Sequence, residues 1–277
     1  KIICDISISS VSVNSKVLYC NNTNIPLENI DGHIFGNQYE IKIKGSSFSN
    51  GISVNNTLVN IILDNIKITS PSSFIIDAST VYLFILGDSN SIVSSNDAGI
   101  QCSDSFLQIM NATSQDKIKN SLTVSSDKYA GIGGGSSNPN CKGIFIYGGR
   151  LIANGGEYGA GIGGGEGSDK ANSAGVNKIE ILNGDITATG GKHGAGIGGG
   201  SGKSESSSKI DSIKISGGKV QAIGGEFSAG IGGGYGISKS SSTVGSIEII
   251  GGEVSAKGGN YGSGIGNGYS SNHEASL

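Results

Sequence analysis

Ala130-Gly-Ile-Gly-Gly-Gly135 is the first of four identical phrases in this chain, and their spacing decides the fold. The phrase returns at 160–165, 195–200 and 229–234, and as Ser-Gly-Ile-Gly-Asn-Gly at 263–268. The successive offsets are 30, 35, 34 and 34 residues. A near-constant period in this range is typical of one supersecondary unit stacked on copies of itself.

The residues before each phrase predict short strands. Four copies align without gaps, at 144–165, 179–200, 213–234 and 247–268. In the third copy the pairs Ile213/Ile215 and Val220/Ala222 alternate with period two, and glycine pairs separate them. A helix is excluded because glycine at this density would cost about 1 kcal/mol per site. We therefore predict an all-β fold, a right-handed parallel β-helix with Gly-rich corners and Ser-rich spacer loops.

Charged residues at equivalent positions provide an independent test of this register. Wherever neighbouring copies both carry a charge, the sign alternates, and adjacent coils of a β-helix place such side chains about 4.8 Å apart. Opposite signs stabilise each pair by roughly a few tenths of a kcal/mol. The three columns are Phe145, Glu180, Lys214 and Glu248; Arg150, Asp185, Lys219 and Glu253; and Glu157, Lys192, Glu226 and Asn260.

The chain is expected to form one elongated domain, residues 1–277. Residues 1–128 alternate in the same way but repeat less regularly, so we expect irregular coils there. Regular coils then occupy 129–268, and 269–277 form a tail. The segment 97–102, Asp-Ala-Gly-Ile-Gln-Cys, looks like an early form of the repeated phrase. No Pro-rich linker or charge run divides the chain.

A resemblance to a known group appears in the middle of the chain. The segments are VYLFILGDSNSI at 81–92, NDAGI at 96–100, FLQI at 106–109 and SLTV at 121–124, followed by the phrase at 130–135. Together they resemble secreted β-helix proteins described as carbohydrate-binding-domain-containing, which are similar in shape to pectate lyases. The resemblance covers roughly residues 60–268. It implies binding of cell-wall or acidic polysaccharide, sometimes with calcium, rather than cleavage.

Composition excludes several classes of protein. Glycine accounts for 49 of 277 residues without a Gly-X-Y period, so the chain is not collagen-like. The net charge of −3 indicates no nucleic-acid face, and no stretch approaches the roughly 20 apolar residues of a membrane span. Because numbering begins at Lys1 without a signal peptide, we expect a mature or trimmed chain.

An even number of cysteines in such a chain suggests an oxidising compartment. The four are Cys4, Cys20, Cys102 and Cys141, which allow three connectivities. Cys102 aligns with Gly134, and Cys141 lies seven residues past Gly134 at the next corner. We favour Cys102–Cys141 with Cys4–Cys20. Zinc is not expected, because no Cys-x-x-Cys occurs.

Three Asn-x-Ser/Thr triplets are candidate glycosylation acceptors. They begin at Asn21, Asn55 and Asn111, all in the first half of the chain and in turn-like settings. Together with the cysteines they favour a secreted or cell-surface location.

Catalytic constellations are not found. A polysaccharide lyase needs a strong cation and a base, and hydrolysis needs clustered carboxylates. Arg150 is the single arginine, and the histidines His33, His193 and His273 lie far apart in the sequence. Asp97 and Asp104 sit in turns among small residues. We therefore expect no enzymatic activity and no cofactor, with calcium as the one candidate ion.

Aromatic residues supply the candidate carbohydrate-binding positions, because an exposed aromatic face can stack on a sugar ring. Two interpretations of the column that precedes each phrase remain open. As an exposed ladder it would bind glycan, but Tyr158, Ala160 and Ile162 share the same alternation, which favours an inward core stack. The candidates are Tyr147, Tyr158, His193, Phe227 and Tyr261. Tyr147 and Tyr235, near the spacer loops, are alternative contacts to the column.

Two functional hypotheses follow. The first is a non-catalytic module that binds a glycan or polysaccharide. The second is a structural or adhesive extracellular element that self-associates into filaments through open solenoid ends, since an uncapped coil exposes unpaired strand edges.

Overall fold

A computed structural model describes residues 2–5, 11–14, 17–20, 23–26, 39–48, 51–112, 120–136, 140–167, 174–203, 208–236 and 242–271. Side chains are described for 40–44 and from residue 51 onward within these ranges. Regular structure in this part of the chain consists of β-strands alone. These strands coil into a right-handed parallel β-helix, as the repeat predicted.

From β9 onward, each coil contributes one strand to each of three stacks. The first stack contains β5 (Tyr39–Phe48), β7 (Leu58–Ser70), β9 (Thr80–Leu86), β12 (Phe106–Asn111), β15 (Gly143–Ile146), β18 (Val176–Ile181), β21 (Ile210–Ile215) and β24 (Val244–Ile249), with β1 (Ile2–Asp5) paired to β5. The second contains β10 (Asn90–Ser94), β13 (Ser121–Ser126), β16 (Arg150–Asn154), β19 (Asp185–Thr189), β22 (Lys219–Ile223) and β25 (Glu253–Lys257).

The third stack is made of shorter strands. It contains β2 (Val11–Asn14), β6 (Ile52–Asn55), β8 (Phe74–Asp77), β11 (Ile100–Ser103), β14 (Ile132–Gly133), β17 (Ile162–Gly163), β20 (Ile197–Gly198), β23 (Ile231–Gly232) and β26 (Ile265–Gly266). From β14 onward each of these strands is the Ile-Gly of the repeated phrase.

One long strand joins the first two stacks. The first half of β7 pairs with β9, and its second half pairs with β10. Asn65, at the junction, has a φ of +53°, a left-handed conformation that asparagine tolerates better than most residues.

The glycine after each isoleucine of the phrase is required by the stacking. Gly198 has a φ of +142°, and a Cβ built there would lie 1.9 Å from the carbonyl oxygen of Gly232 in the next coil. Its counterparts Gly163 and Gly232 repeat this geometry. The conformation and the close contact both exclude a side chain. This explains why a glycine follows the isoleucine in every copy of the phrase.

The core is a set of vertical rows of aliphatic side chains. Ile132, Ile162, Ile197 and Ile231 are fully buried and form one such row. Inward residues of β16, β19 and β22 form others, and all belong to one continuous cluster. Burial of each isoleucine contributes about 1.5–3 kcal/mol relative to exposure.

The predicted register of the charged columns is confirmed. Asp185 pairs with Lys219 in adjoining strands, and Lys219 pairs in turn with Glu253. Lys219 and Glu253 form an ion pair of 3.6 Å, and Lys214 and Glu248 one of 3.1 Å.

The N-terminal part departs from the expected parallel coils. β2 pairs antiparallel with β3 (Val17–Cys20), and β3 pairs antiparallel with β4 (Thr23–Pro26). These short strands lack the Gly-cornered repeat that holds later strands in parallel, and the chain reverses between β2 and β3 and again between β3 and β4.

The Cys102–Cys141 disulfide is confirmed, with its Cα atoms 5.1 Å apart. It links β11 to the residue that lies two positions before β15 in the next coil, and both cysteines are fully buried. The predicted Cys4–Cys20 pair lies outside the described side chains.

Candidate functional site

The aromatic residues that precede each phrase lie on the surface, so their interpretation as a core stack is wrong. Tyr158, His193 and Phe227 are half-buried, and Tyr261 is 58% exposed. Ala160, two residues after Tyr158, is fully buried.

A tight turn explains why alternation fails here. The backbone N–H of Gly159 donates to the carbonyl of Gly156 at 3.0 Å, and Gly194 and Ser228 donate to Gly191 and Gly225 in the same way. Because a turn of this kind reverses direction between two strands, side chains on it do not follow the period-two rule. The same turn therefore directs every aromatic of the column outward.

A second aromatic column interleaves with the first. Tyr235 and Tyr269 directly follow their glycine phrases. The N–H of Tyr235 donates to the carbonyl of His193 at 3.1 Å, and that of Tyr269 donates to the carbonyl of Phe227 at 2.7 Å. We call the two columns together the aromatic ladder: Tyr158, His193, Phe227, Tyr261, Tyr235 and Tyr269.

The rings of the aromatic ladder contact one another along the solenoid axis. In the first column the centroid distances are 5.6 Å for Tyr158–His193, 5.6 Å for His193–Phe227 and 5.3 Å for Phe227–Tyr261, with interplanar angles of 16°, 20° and 8°. Tyr235 lies 5.0 Å from both His193 and Phe227. Each such pair contributes about 0.5–1.5 kcal/mol beyond its buried area. Phe227 is the centre, since it contacts four other rings.

Ion pairs flank the aromatic ladder. Lys203 forms an ion pair with Glu166, and its Nζ lies 4.0 Å from the centroid of Tyr158. Lys192 pairs with Glu226 at 4.0 Å, and its Nζ lies 5.8 Å from the centroid of Phe227. Each lysine makes a cation–π contact of about 0.5–1 kcal/mol. Lys203 lies at the Tyr158 end of the aromatic ladder, and Lys192 lies beside Phe227.

The titrating groups of the ladder are tuned by these neighbours. Burial and the Lys192 charge hold the pKa of His193 below its ordinary value of 6.5. The hydrogen bond with Glu157, together with burial, raises the pKa of the Tyr158 hydroxyl. Burial lowers the pKa of Lys203, but its hydrogen bond and charge interaction with Glu166 outweigh that effect and raise it. The imidazole of His193 is therefore neutral at neutral pH.

The remaining predicted residues lie elsewhere. Tyr147 is 42% exposed at the corner between β15 and β16, and makes no ring contact with the ladder within the described part of the chain. Asn55 is exposed, whereas Nδ2 of Asn111, the atom that would carry a glycan, is buried. Asn21 lies outside the described residues.

Sequence reasoning missed part of this site. Tyr269, Glu166 and Lys203 were not predicted as site residues, and Tyr235 was only a secondary candidate. The signal was available, because the position after each glycine phrase holds Ser136, Glu166, Ser201, Tyr235 and Tyr269. Aligning that position across the copies, as for the charged columns, points to Glu166, Tyr235 and Tyr269. It does not point to Lys203.

Metal clusters and membrane-spanning helices are both absent from the described residues. No group of three or more His, Cys, Asp or Glu side chains there could hold a metal ion. That part of the chain also lacks any helix of the length and hydrophobicity needed to traverse a bilayer.

Comparison with known families supports the fold. A family model described as β-helix repeat matches residues 146–166, 179–201 and 213–235. Each match spans the strand of the second stack, the turn that carries the aromatic column and the glycine phrase. Neither the curated proteins nor the solved structures provide a significant match.

Proposed function

We propose that this protein is a non-catalytic glycan-binding β-helix and that the aromatic ladder is its binding surface. The observation that carries the proposal is the outward position of six aromatic or imidazole rings in two interleaved columns along the axis. Because the rings stack on one another, their edges remain for a ligand, and the C–H groups of a pyranose ring can pack on these apolar edges by hydrophobic and dispersion forces. Tyrosine hydroxyls at the ring edges add hydrogen bonds.

Charge favours a neutral glycan over a polyanion. The groups that act on the ladder are three carboxylates, Glu157, Glu166 and Glu226, and two lysines, Lys192 and Lys203. Their charges nearly cancel, and both lysines already have carboxylate partners. A polyanion would have to displace those partners, whereas a neutral chain leaves them in place.

The location we propose is extracellular or at a cell surface. Its support is the Cys102–Cys141 disulfide, since disulfides persist in oxidising compartments and are rare in the cytosol.

A glycan array followed by calorimetry tests this function. Phe227→Ala removes the ring at the centre of the ladder, and we expect affinity for the best neutral glycan to fall at least about tenfold. Tyr147→Ala is the matched control, because it removes an exposed aromatic away from the ladder and should bind like the unmodified protein. Equal affinity in both variants would refute the ladder as the site.

The second hypothesis, a structural or adhesive element, is an alternative outcome. Binding to no glycan on the array, combined with filaments whose light scattering grows with protein concentration, would favour it over glycan binding.

A further inference from the structure

A groove at a different corner of the solenoid forms a second candidate site. It has a volume of about 340 Å³, within the range of small-molecule sites. It opens between the ends of β6, β8 and β11 and the starts of β7, β9 and β12. Its lining includes Asn56, Ala78, Thr80, Asp104, Phe106 and Lys142.

The groove exists because the middle coil carries smaller side chains than its neighbours. Asn56, Ala78 and Asp104 occupy one corner position in three successive coils, as their backbone hydrogen bonds show. Thr80 likewise pairs with Leu58 on one side and with Phe106 on the other. Ala78 and Thr80 thus form a depression one coil high.

The corner residue of that middle coil is under backbone strain. Ala78 has a φ of +45°, and Asn56 and Asp104 each have +47°. Asparagine and aspartate tolerate this left-handed region, whereas alanine does so much less readily. Strain of this kind concentrates at functional positions. An asparagine at 78 would relieve it, but would also fill the groove.

One wall of the groove is a fixed aromatic ring. Phe106 is 39% exposed and is supported by Phe145, with ring centroids 6.4 Å apart. Gly143 leaves room for both rings, since a Cβ there would lie 2.7 Å from Cε2 of Phe145 and 3.3 Å from Cδ1 of Phe106.

The polar groups of the groove lining carry no net charge. Lys142 and Asp104 form an ion pair of 2.8 Å, so each neutralises the other. The side chains of Asn56 and Thr80 make no hydrogen bond to other described residues, which leaves them available to a ligand.

From this geometry we infer that the groove binds a single neutral sugar unit. A free ion has no unpaired charge to attract it, and an apolar ligand would bury the Thr80 hydroxyl and the Asn56 amide without hydrogen bonds. A neutral hexose has an apolar C–H face for Phe106 and hydroxyls for Thr80, Asn56 and the ion pair. This site is separate from the aromatic ladder, and neither depends on the other.

Nuclear magnetic resonance titration of the whole chain with methyl glucoside and methyl galactoside tests the inference. We expect backbone amide shifts to concentrate at Ala78, Thr80, Asp104 and Phe106 with at least one of these sugars. Phe106→Ala should weaken that binding about tenfold. Shifts confined to the ladder would refute the groove while supporting the ladder, and shifts at neither place would overturn the groove.

Two substitutions at one position separate binding from folding. Ala78→Asn should equal or exceed the unmodified protein in thermal stability, because asparagine relieves the strained backbone, yet lose sugar binding because its amide fills the groove. Ala78→Gly relieves the same strain without adding an amide, so it is the stability control for Ala78→Asn. Sugar binding retained by Ala78→Asn at full strength would overturn the inference.

Discussion

At the scale of single residues, the glycine after each phrase isoleucine shows how backbone conformation fixes sequence. Gly198 combines a φ of +142° with contact to the Gly232 carbonyl, whereas Gly148 has no heavy atom within 4 Å of an added Cβ. The two glycines therefore provide a matched pair for mutation.

We expect Gly198→Ala to lower the free energy of unfolding by about 3–5 kcal/mol, because both the conformation and the next coil resist a side chain. Gly148→Ala should change it by less than about 0.5 kcal/mol. Urea unfolding of both variants measures the difference. Equal stability of the two would contradict the close stacking of the phrases.

His193 gives the molecule a pH dependence of stability. Its Nδ1 is buried without a hydrogen-bond partner among the described residues, and its pKa lies below 6.5. Below pH 6.5 the unfolded chain therefore binds more protons at this residue than the folded chain does. The free energy of unfolding falls as the pH drops from 6.5 toward the lower pKa that His193 has in the folded protein. Below that folded-state pKa the loss of stability is complete.

Thermal denaturation at about pH 7.5 and about pH 5 checks this sign. We expect the unmodified protein to lose more stability between the two than His193→Phe, which keeps the ring stack with Tyr158 and Phe227 but cannot be protonated. Glu157, Glu226, Lys192 and Lys203 also face His193 and are common to both proteins. An identical loss in the two would show that His193 does not titrate as inferred.

At the scale of strands, the charged columns secure the alignment of neighbouring coils. Asp185 lies between Arg150, at 4.0 Å, and Lys219. All three side chains are largely exposed, so each pair contributes modestly and is screened by salt.

Asp185→Lys places three positive charges in succession, and we expect it to cost about 0.5–1 kcal/mol of unfolding free energy in low salt. Asp185→Asn removes the attraction without adding repulsion and should cost about half as much. Unfolding repeated in about 1 M salt should remove most of the difference between the two variants. A cost that salt leaves unchanged would assign the effect to packing instead.

Strand-level features also show how far sequence reasoning reaches. The repeated phrase predicted the register because glycine at 163, 198 and 232 is forced by contact between coils. The same reasoning failed at Tyr158, where a hydrogen-bonded turn replaces strand alternation. It also failed at β2, β3 and β4, where no repeat exists to distinguish parallel from antiparallel pairing. The first column of the aromatic ladder was among the predicted site residues. The second column was not recognised as a column, because Tyr235 begins a spacer and Tyr269 begins the tail.

At the scale of the whole molecule, stability is distributed along a solenoid in which each coil contacts its neighbours. The Cys102–Cys141 disulfide is a long-range covalent restraint on this array, with a sequence separation of 39 residues. A loop of that length restricts the unfolded chain by about 3–4 kcal/mol in the chain-entropy model.

The double variant Cys102→Ala, Cys141→Ala should therefore unfold at lower urea concentration, with a free energy of unfolding about 2–4 kcal/mol below that of the unmodified protein. Removing both cysteines avoids leaving one reactive thiol behind. An unchanged midpoint in urea would mean that the bond contributes nothing to the folded coil.

The alternating signs of the charged columns carry a consequence for how this protein can change its length. Excising one coil, residues 179–212, would bring Arg150 beside Lys219 and Glu157 beside Glu226, so both contacts would become repulsive. Excising two coils, residues 179–246, would bring Arg150 beside Glu253 and restore attraction. We therefore expect the fold to tolerate removal or addition of an even number of coils better than an odd number, so the unit by which its length can change is two coils.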